Sequence, residues 1–276
     1  MDSYLKVCNQ INKLKGKPQK EALLAAISLN ALLTKTPQHQ AFSYYEKKAL
    51  RKIRLLYDAS SSCLSQYSQV SQNLFKEGLF KVPKPPYEPC DFILSEVLQK
   101  GSGHPISLSL LFLYFSRHFP CSLFLLPLAP QAYIFKLIDQ KNSCHYFDLQ
   151  KQGQVLPREE LPSFSSSLSP SLQTLDAYKV LLLFIEQYIR ILKEKELFQQ
   201  VHILLSIMCE LEPLQHHFLA ERALVRRKLG LINLALEDLK TFFSFNNKSE
   251  APKELKVAFY ELQTLCQFKD KMTPPV

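Results

Sequence analysis

The chain has no apolar run long enough to cross a bilayer. Its longest, Ile106 to Phe115, holds two serines and ends at Ser116-Arg117-His118. That is well short of the ~20 residues of a spanning helix, so a buried core helix is expected and no membrane partner. Met1 to Lys17 has scattered basic residues and no apolar h-region; no signal peptide is expected, and the cytoplasm is the expected location. Seven cysteines (8, 63, 90, 121, 144, 209 and 266) are widely spaced, with no C-x-x-C pair. Neither a zinc site nor a disulfide framework follows from that spacing, and reduced, mostly buried thiols are expected. Phosphate-cradling loops, dinucleotide fingerprints and H-E-x-x-H are missing too, and no cofactor or metal is expected. Acidic residues are in deficit, 25 against 34 basic, for a net charge of +9. The basic residues group only at Lys13 to Lys20, Lys47 to Arg54 and Arg222 to Lys228. No basic stripe interleaved with aromatics accompanies them, so acidic proteins or peptides are the expected partners and nucleic acid is not.

What is present is a helical start, a short run of strands and a helical end. Leu23, Leu24, Ile27, Ala31 and Leu32 follow the i, i+3, i+4 rhythm of a buried helix face, and Pro37 ends that helix. Two more helices are expected, over 41–57 and 64–75, with Ser60-Ser61-Ser62 between them. Pro83-Lys84-Pro85-Pro86 reads as a stiff extended connector. A short helix over 91–99, a Gly101/Gly103 break and a long apolar helix from Pro105 follow, with proline at the first helical turn. Strands are expected over 122–126, 132–138 and 144–149, with Asp139 to Asn142 turning between the last two. On the last strand Cys144, Tyr146 and Asp148 share one face, while His145, Phe147 and Leu149 share the other. A Ser/Pro-rich loop, Pro157 to Pro170, forms a boundary.

Beyond it a 34-residue period pairs Ile185 with Leu219, Val201 with Ala235, Leu205 with Leu239 and Met208 with Phe242. That is the tetratricopeptide spacing, although neither unit has tryptophan. The expected architecture is α+β in three parts. Residues 1–82 form an N-terminal helical segment, 83–162 a core with a small antiparallel sheet, and 171–268 a tetratricopeptide-like helical array.

The segments Asn73-Leu74-Phe75, Pro86-Tyr87-Glu88-Pro89, Ser95-Glu96-Val97-Leu98 and Gly103-His104-Pro105-Ile106-Ser107-Leu108-Ser109 resemble the SirB-type bacterial family. That family joins a transglutaminase-like (papain-like) core to C-terminal tetratricopeptide repeats, and the likeness runs over about residues 20 to 265. The resemblance implies a cytoplasmic bacterial protein of ill-defined biochemical role. The family usually carries Pro-Gly-His-Phe on the strand after the long helix, then Tyr-Leu-Asp. Here Ala132 takes the histidine's place, and Asp148 keeps the acid. Transglutaminases have cysteine near the start of the long helix, where Pro105 or a close neighbour lies.

A thiol at a helix N-terminus ionises readily, histidine moves the proton, and aspartate orients the histidine. With Pro105 and Ala132 in the first two places, the expected function is non-catalytic protein interaction or regulation on a degenerate frame. The alternative is a residual hydrolase or acyltransferase using Ser107, or a cysteine, with Asp148. Ser107 then needs His104, His118 or His145 as base. Cys144 and His145 are adjacent but point to opposite faces of a strand, so they do not form a dyad. His216-His217 with His202 lacks an evident further ligand and reads as an exposed turn. Arg222, Arg226 and Arg227 are the candidate partner-binding residues, suited to an acidic ligand.

Overall fold

All eleven residues from Pro105 to Phe115 are buried, and the elements of the larger unit are built around this helix. In the computed structural model, residues 2–55, 65, 80–118, 122–129, 132–138, 141–149, 151, 153–157, 175–246 and 250–272 are described. Their helices are α1 (Asp2–Asn12), α2 (Ala22–Thr34), α3 (Gln38–Leu55), α4 (Leu94–Lys100), α5 (Pro105–Phe115) and α6 (Ala177–Glu194), then α7 (Phe198–Leu211), α8 (His217–Lys228), α9 (Ile232–Phe245) and α10 (Lys253–Met272). The strands are β1 (Ser122–Ala129), β2 (Ala132–Ile138), β3 (Cys144–Asp148) and β4 (Gln154–Val155). The chain divides into two compact units, Met1–Ile191 and Leu192–Val276. No described helix is long and apolar enough to cross a membrane.

In the first unit the strands form one antiparallel meander, β1-β2-β3-β4. Leu125 faces Phe135 and Phe135 faces Phe147, while Leu126 faces Ile134 and Ile134 faces Asp148. Residues opposite one another project from the same face. One face therefore carries Leu125, Tyr133, Phe135 and Phe147, and the other Leu126, Ile134, Tyr146 and Asp148. Phe112 of α5 meets Phe135 edge-on at 5.3 Å, so α5 covers the Phe135 face. On the other face Leu126, Ile134 and Leu156 make a small cluster with Tyr146 against it.

The N-terminal helices belong to this same unit. Asn30 of α2 accepts the Leu94 N–H at 3.0 Å, Gln38 accepts from the Ser95 hydroxyl, and Glu46 of α3 accepts from the Tyr114 hydroxyl at 2.7 Å. Helices α2 and α3 thus supply polar partners to the central helices. The helix expected over 91–99 is two pieces. A 3-10 turn (Pro89–Phe92) and α4 are separated by extended Ile93, and a reciprocal Glu88–Asp91 capping box closes the turn. The strand β4 lay hidden because two residues carry no readable alternation. The helix expected over 64–75 lies outside the described residues except for Ser65, as do residues 158–170 of the expected loop and Asp139-Gln140 of the expected turn.

In the second unit, consecutive helices pack around Ala223, Ala235, Leu239, Ala258 and Leu262, all buried. The backbone repeats at an offset of 34 residues. Glu196 and Gly230 both take positive φ, 55° and 74°. Leu197 and Leu231 share φ −83° and ψ 60°, and each opens a 14-residue helix. The paired positions Val201/Ala235, Leu205/Leu239 and Met208/Phe242 are all buried.

Candidate functional site

The N-terminal end of α5 is built from the Gly103-His104-Pro105 segment. Gly103 lies so close to α4 that a Cβ there would come within 2.6 and 2.7 Å of the two Val97 methyls and 3.1 Å of the Asp91 carbonyl oxygen. Only glycine lets the chain pass α4 at this distance. His104 then caps the helix. Its Nδ1 accepts the Ile106 N–H at 3.2 Å, and its backbone N–H donates to the Asp91 carbonyl at 3.1 Å. Pro105 sits in the first turn, where no N–H is required.

The His104 ring is fully buried. It stacks on Phe92 at 4.5 Å and meets Tyr87 edge-on at 4.5 Å; Phe92 in turn stacks on Tyr188 of α6 at 4.7 Å. Burial, seconded by the Arg190 charge, lowers the His104 pKa to about 3, so the ring is neutral at physiological pH. Because Nδ1 accepts a hydrogen bond, the single proton of the neutral ring resides on Nε2. That proton has no acceptor among the described residues, and the buried hydroxyls of Ser107 and Tyr133 likewise have no hydrogen-bond partner. Ser109, one turn beyond Pro105, bonds back to the Pro105 carbonyl at 2.8 Å; Ser107 makes no such bond. Burial pushes the Tyr133 phenol up strongly and Tyr87 up as well, with Asp91 adding to the Tyr87 shift.

These contacts locate each candidate. Ser107 lies in the first turn of α5, fully buried, and its hydroxyl has no hydrogen-bond partner among the described residues. Pro105 is buried at the first helical position. Ala132 opens β2 opposite Ala129. Asp148 pairs with Ile134, and so projects from the sheet face away from α5. The residue of β2 on the α5 face is Tyr133, a neighbour of Ala132 that reading by motif passed over. In the sequence Tyr87 stands out only as part of the Pro86-Tyr87-Glu88-Pro89 motif, and Tyr188 and Arg190 carry no signal beyond the apolar periodicity of α6. Cys144 is exposed, Cys8 is buried, and Cys90, Cys209 and Cys266 are half-buried, all free thiols. The expectation of mostly buried thiols holds for one of these five.

The three arginines of α8 do not present an open basic face. Arg222 grips Asp238 through two bonds, Nε at 2.9 Å and Nη2 at 2.7 Å. Arg226 adds a 2.8 Å contact to the same carboxylate and donates to the Leu234 carbonyl and to His202 Nε2, each at 3.2 Å. The Asp238 side chain is 6% exposed and those of Arg222 and Arg226 are 16% and 13%. Both guanidinium groups are thus engaged with the Asp238 carboxylate within the fold. Arg227 pairs with Glu261 at 2.6 Å near the surface. His216 stacks on Phe245 at 4.2 Å, and no three His, Cys, Asp or Glu among the described residues are placed to hold a metal ion.

Comparison with family models matches residues 45–180 to the Transglutaminase-like superfamily. The matched stretch begins in α3 and ends in α6, so it takes in the helices around the sheet as well as the sheet itself. No curated protein and no solved structure matches the chain.

Proposed function

We propose that the chain is a non-catalytic interaction protein of SirB type, in which a degenerate transglutaminase-like core carries a tetratricopeptide-like array and acts by binding an acidic protein or peptide. The observation that carries the reading is the state of the α5 N-terminus. Where an acyl-transfer frame needs a thiolate, Pro105 closes the helix start. The adjacent imidazole is held by the Ile106 N–H and clamped between Tyr87 and Phe92. An Nε2–H cannot accept the proton of Ser107, and a ring with a pKa of about 3 has little affinity for one. Asp148 belongs to the opposite face of the sheet and does not orient this histidine. The 34-residue recurrence of backbone geometry at Glu196-Leu197 and Gly230-Leu231 favours the array as a repeat, and repeats of this spacing build binding surfaces.

The test is treatment of the full chain with a fluorophosphonate and, separately, with iodoacetamide, followed by mass mapping. The reading expects no stoichiometric fluorophosphonate adduct at Ser107, and iodoacetamide labelling of exposed Cys144 ahead of buried Cys8. A fast adduct at Ser107 that disappears in Ser107→Ala would establish the hydrolase alternative instead.

A further inference from the structure

Among the described residues β1 is an edge strand, and part of its outer edge is already occupied by a side chain. Gln19, 4% exposed, accepts the Leu125 N–H through Oε1 at 2.6 Å. Its Nε2 donates to the Leu125 carbonyl at 3.2 Å and to the Leu175 carbonyl at 2.8 Å. The Gln19 amide thus pairs with Leu125 as the main chain of a neighbouring strand would. In an antiparallel ladder the outward-turned N–H and C=O groups recur at every second residue. The register from Ser122 to Pro127 is unbroken, so the next outward-turned pair belongs to Leu123.

Leu123 lines a cleft of about 550 Å3 together with Ser122, Phe124 and the Gly16 to Lys20 loop. Lys17, Lys20 and Arg117 stand on its walls, all exposed. Arg117 is steadied by stacking on Tyr114 at 3.8 Å and by Glu46 at 3.1 Å. The acid of the wall, Asp176, is turned to the backbone, accepting the Gly16 N–H at 2.8 Å and the Lys179 N–H at 2.9 Å. Lys17 and Lys20, with the Glu46-paired Arg117 beside them, stand around a strand edge that carries no further strand among the described residues, a setting suited to an extended, acidic chain. An isolated small anion would answer the charges and leave the strand edge unused.

We propose that this cleft is a docking site for an acidic peptide segment, which adds to β1 at Leu123 as a short strand and sets its carboxylates among Lys17, Lys20 and Arg117. The proposal rests on the binding reading above and gives that reading a site in the first unit. Gln19 ends the open edge at Leu125, so the segment is short and its register is set.

The experiment is titration of the 15N-labelled full chain with acetyl-Glu-Val-Glu-Val-Glu-Val-amide. Its comparators are the peptide with Gln for Glu and the acidic peptide with its backbone amides N-methylated at alternate residues, in both possible phases. The expected result is amide shifts confined to Gly16–Lys20, Ser116–Arg117 and Ser122–Phe124. The Gln peptide, at least one N-methylated phase and the Lys17→Ala/Lys20→Ala double variant should each weaken binding by about tenfold or more. Both lysines are exposed, and circular dichroism of the double variant checks that its fold is kept. Absence of binding, shifts elsewhere, or unchanged affinity in the double variant overturns the proposal. Full binding by both N-methylated phases also overturns it, because the cleft would then take charge without strand pairing. The labelling result at Ser107 is read separately, so failure of this site is distinguishable from failure of the non-catalytic reading.

Discussion

His104 shows how a residue with a chemical reputation becomes a structural part. Its ring fills the gap between Tyr87 and Phe92 and its Nδ1 caps α5, and both roles need the neutral form. The pKa falls from 6.5 to about 3 on folding, so below pH 6.5 the unfolded chain binds a proton that the folded chain refuses. The contribution of His104 is therefore whole above pH 6.5 and is lost as pH falls toward 3, at about 1.4 kcal/mol per pH unit. Urea unfolding across that window should show this slope, and it should be shallower in His104→Asn, which keeps a capping oxygen and cannot titrate. An equal slope in both proteins would remove His104 as the cause. Asp238 carries the second residue-scale prediction. Replacing it with alanine leaves Arg222 and Arg226 largely buried and without their carboxylate, a change expected to cost about 3–5 kcal/mol. A loss under 1 kcal/mol in urea unfolding of Asp238→Ala would contradict the structural role given to the pair.

Among the elements, the contact between α4 and the segment entering α5 sets the tightest tolerance. Gly103→Ala drives a methyl into both Val97 methyls, and an overpacked core of this kind loses about 1–3 kcal/mol. Val97→Ala removes the obstructing atoms, so the double variant should be more stable than the sum of the single losses, with a coupling of about 0.5–3 kcal/mol. Strict additivity would mean that the loop moves aside. The α5 helix itself was legible from its residues, because an apolar stretch of that length with proline in its first turn has few alternatives. The side of the sheet that it covers was not. Ala132-Tyr133-Ile134-Phe135-Lys136-Leu137-Ile138 is apolar at both parities, with Lys136 the one charged position. Alternation therefore left open whether Ala132 or Tyr133 faces the helix, and pairing of Phe135 with Phe147 beneath Phe112 resolves it.

For the molecule as a whole, charge is the property that composition controls most directly. With a net charge of +9 and an isoelectric point near 9.1, the chain repels its own copies at neutral pH and loses that repulsion as the pH approaches 9. Light scattering should find solubility lowest near pH 9 and rising toward pH 7. A minimum at neutral pH would point to apolar association through side chains such as Leu214 and Phe245, 85% and 63% exposed.

Periodicity and composition determined the longer elements by themselves, though not β4 or the 3-10 turn before α4. A mostly apolar helix, short apolar strands bounded by turn residues and a 34-residue recurrence each follow from local spacing, which needs no knowledge of distant contacts. Tertiary structure alone decided which atoms meet. It placed the Gln19 amide on Leu125, 106 residues away, joined Arg222 and Arg226 to one carboxylate, and put Asp148 on the far face of the sheet from α5. A motif records residue types along the chain, whereas a site depends on strand parity and on which donors are already engaged. Both are set by packing between segments distant in sequence.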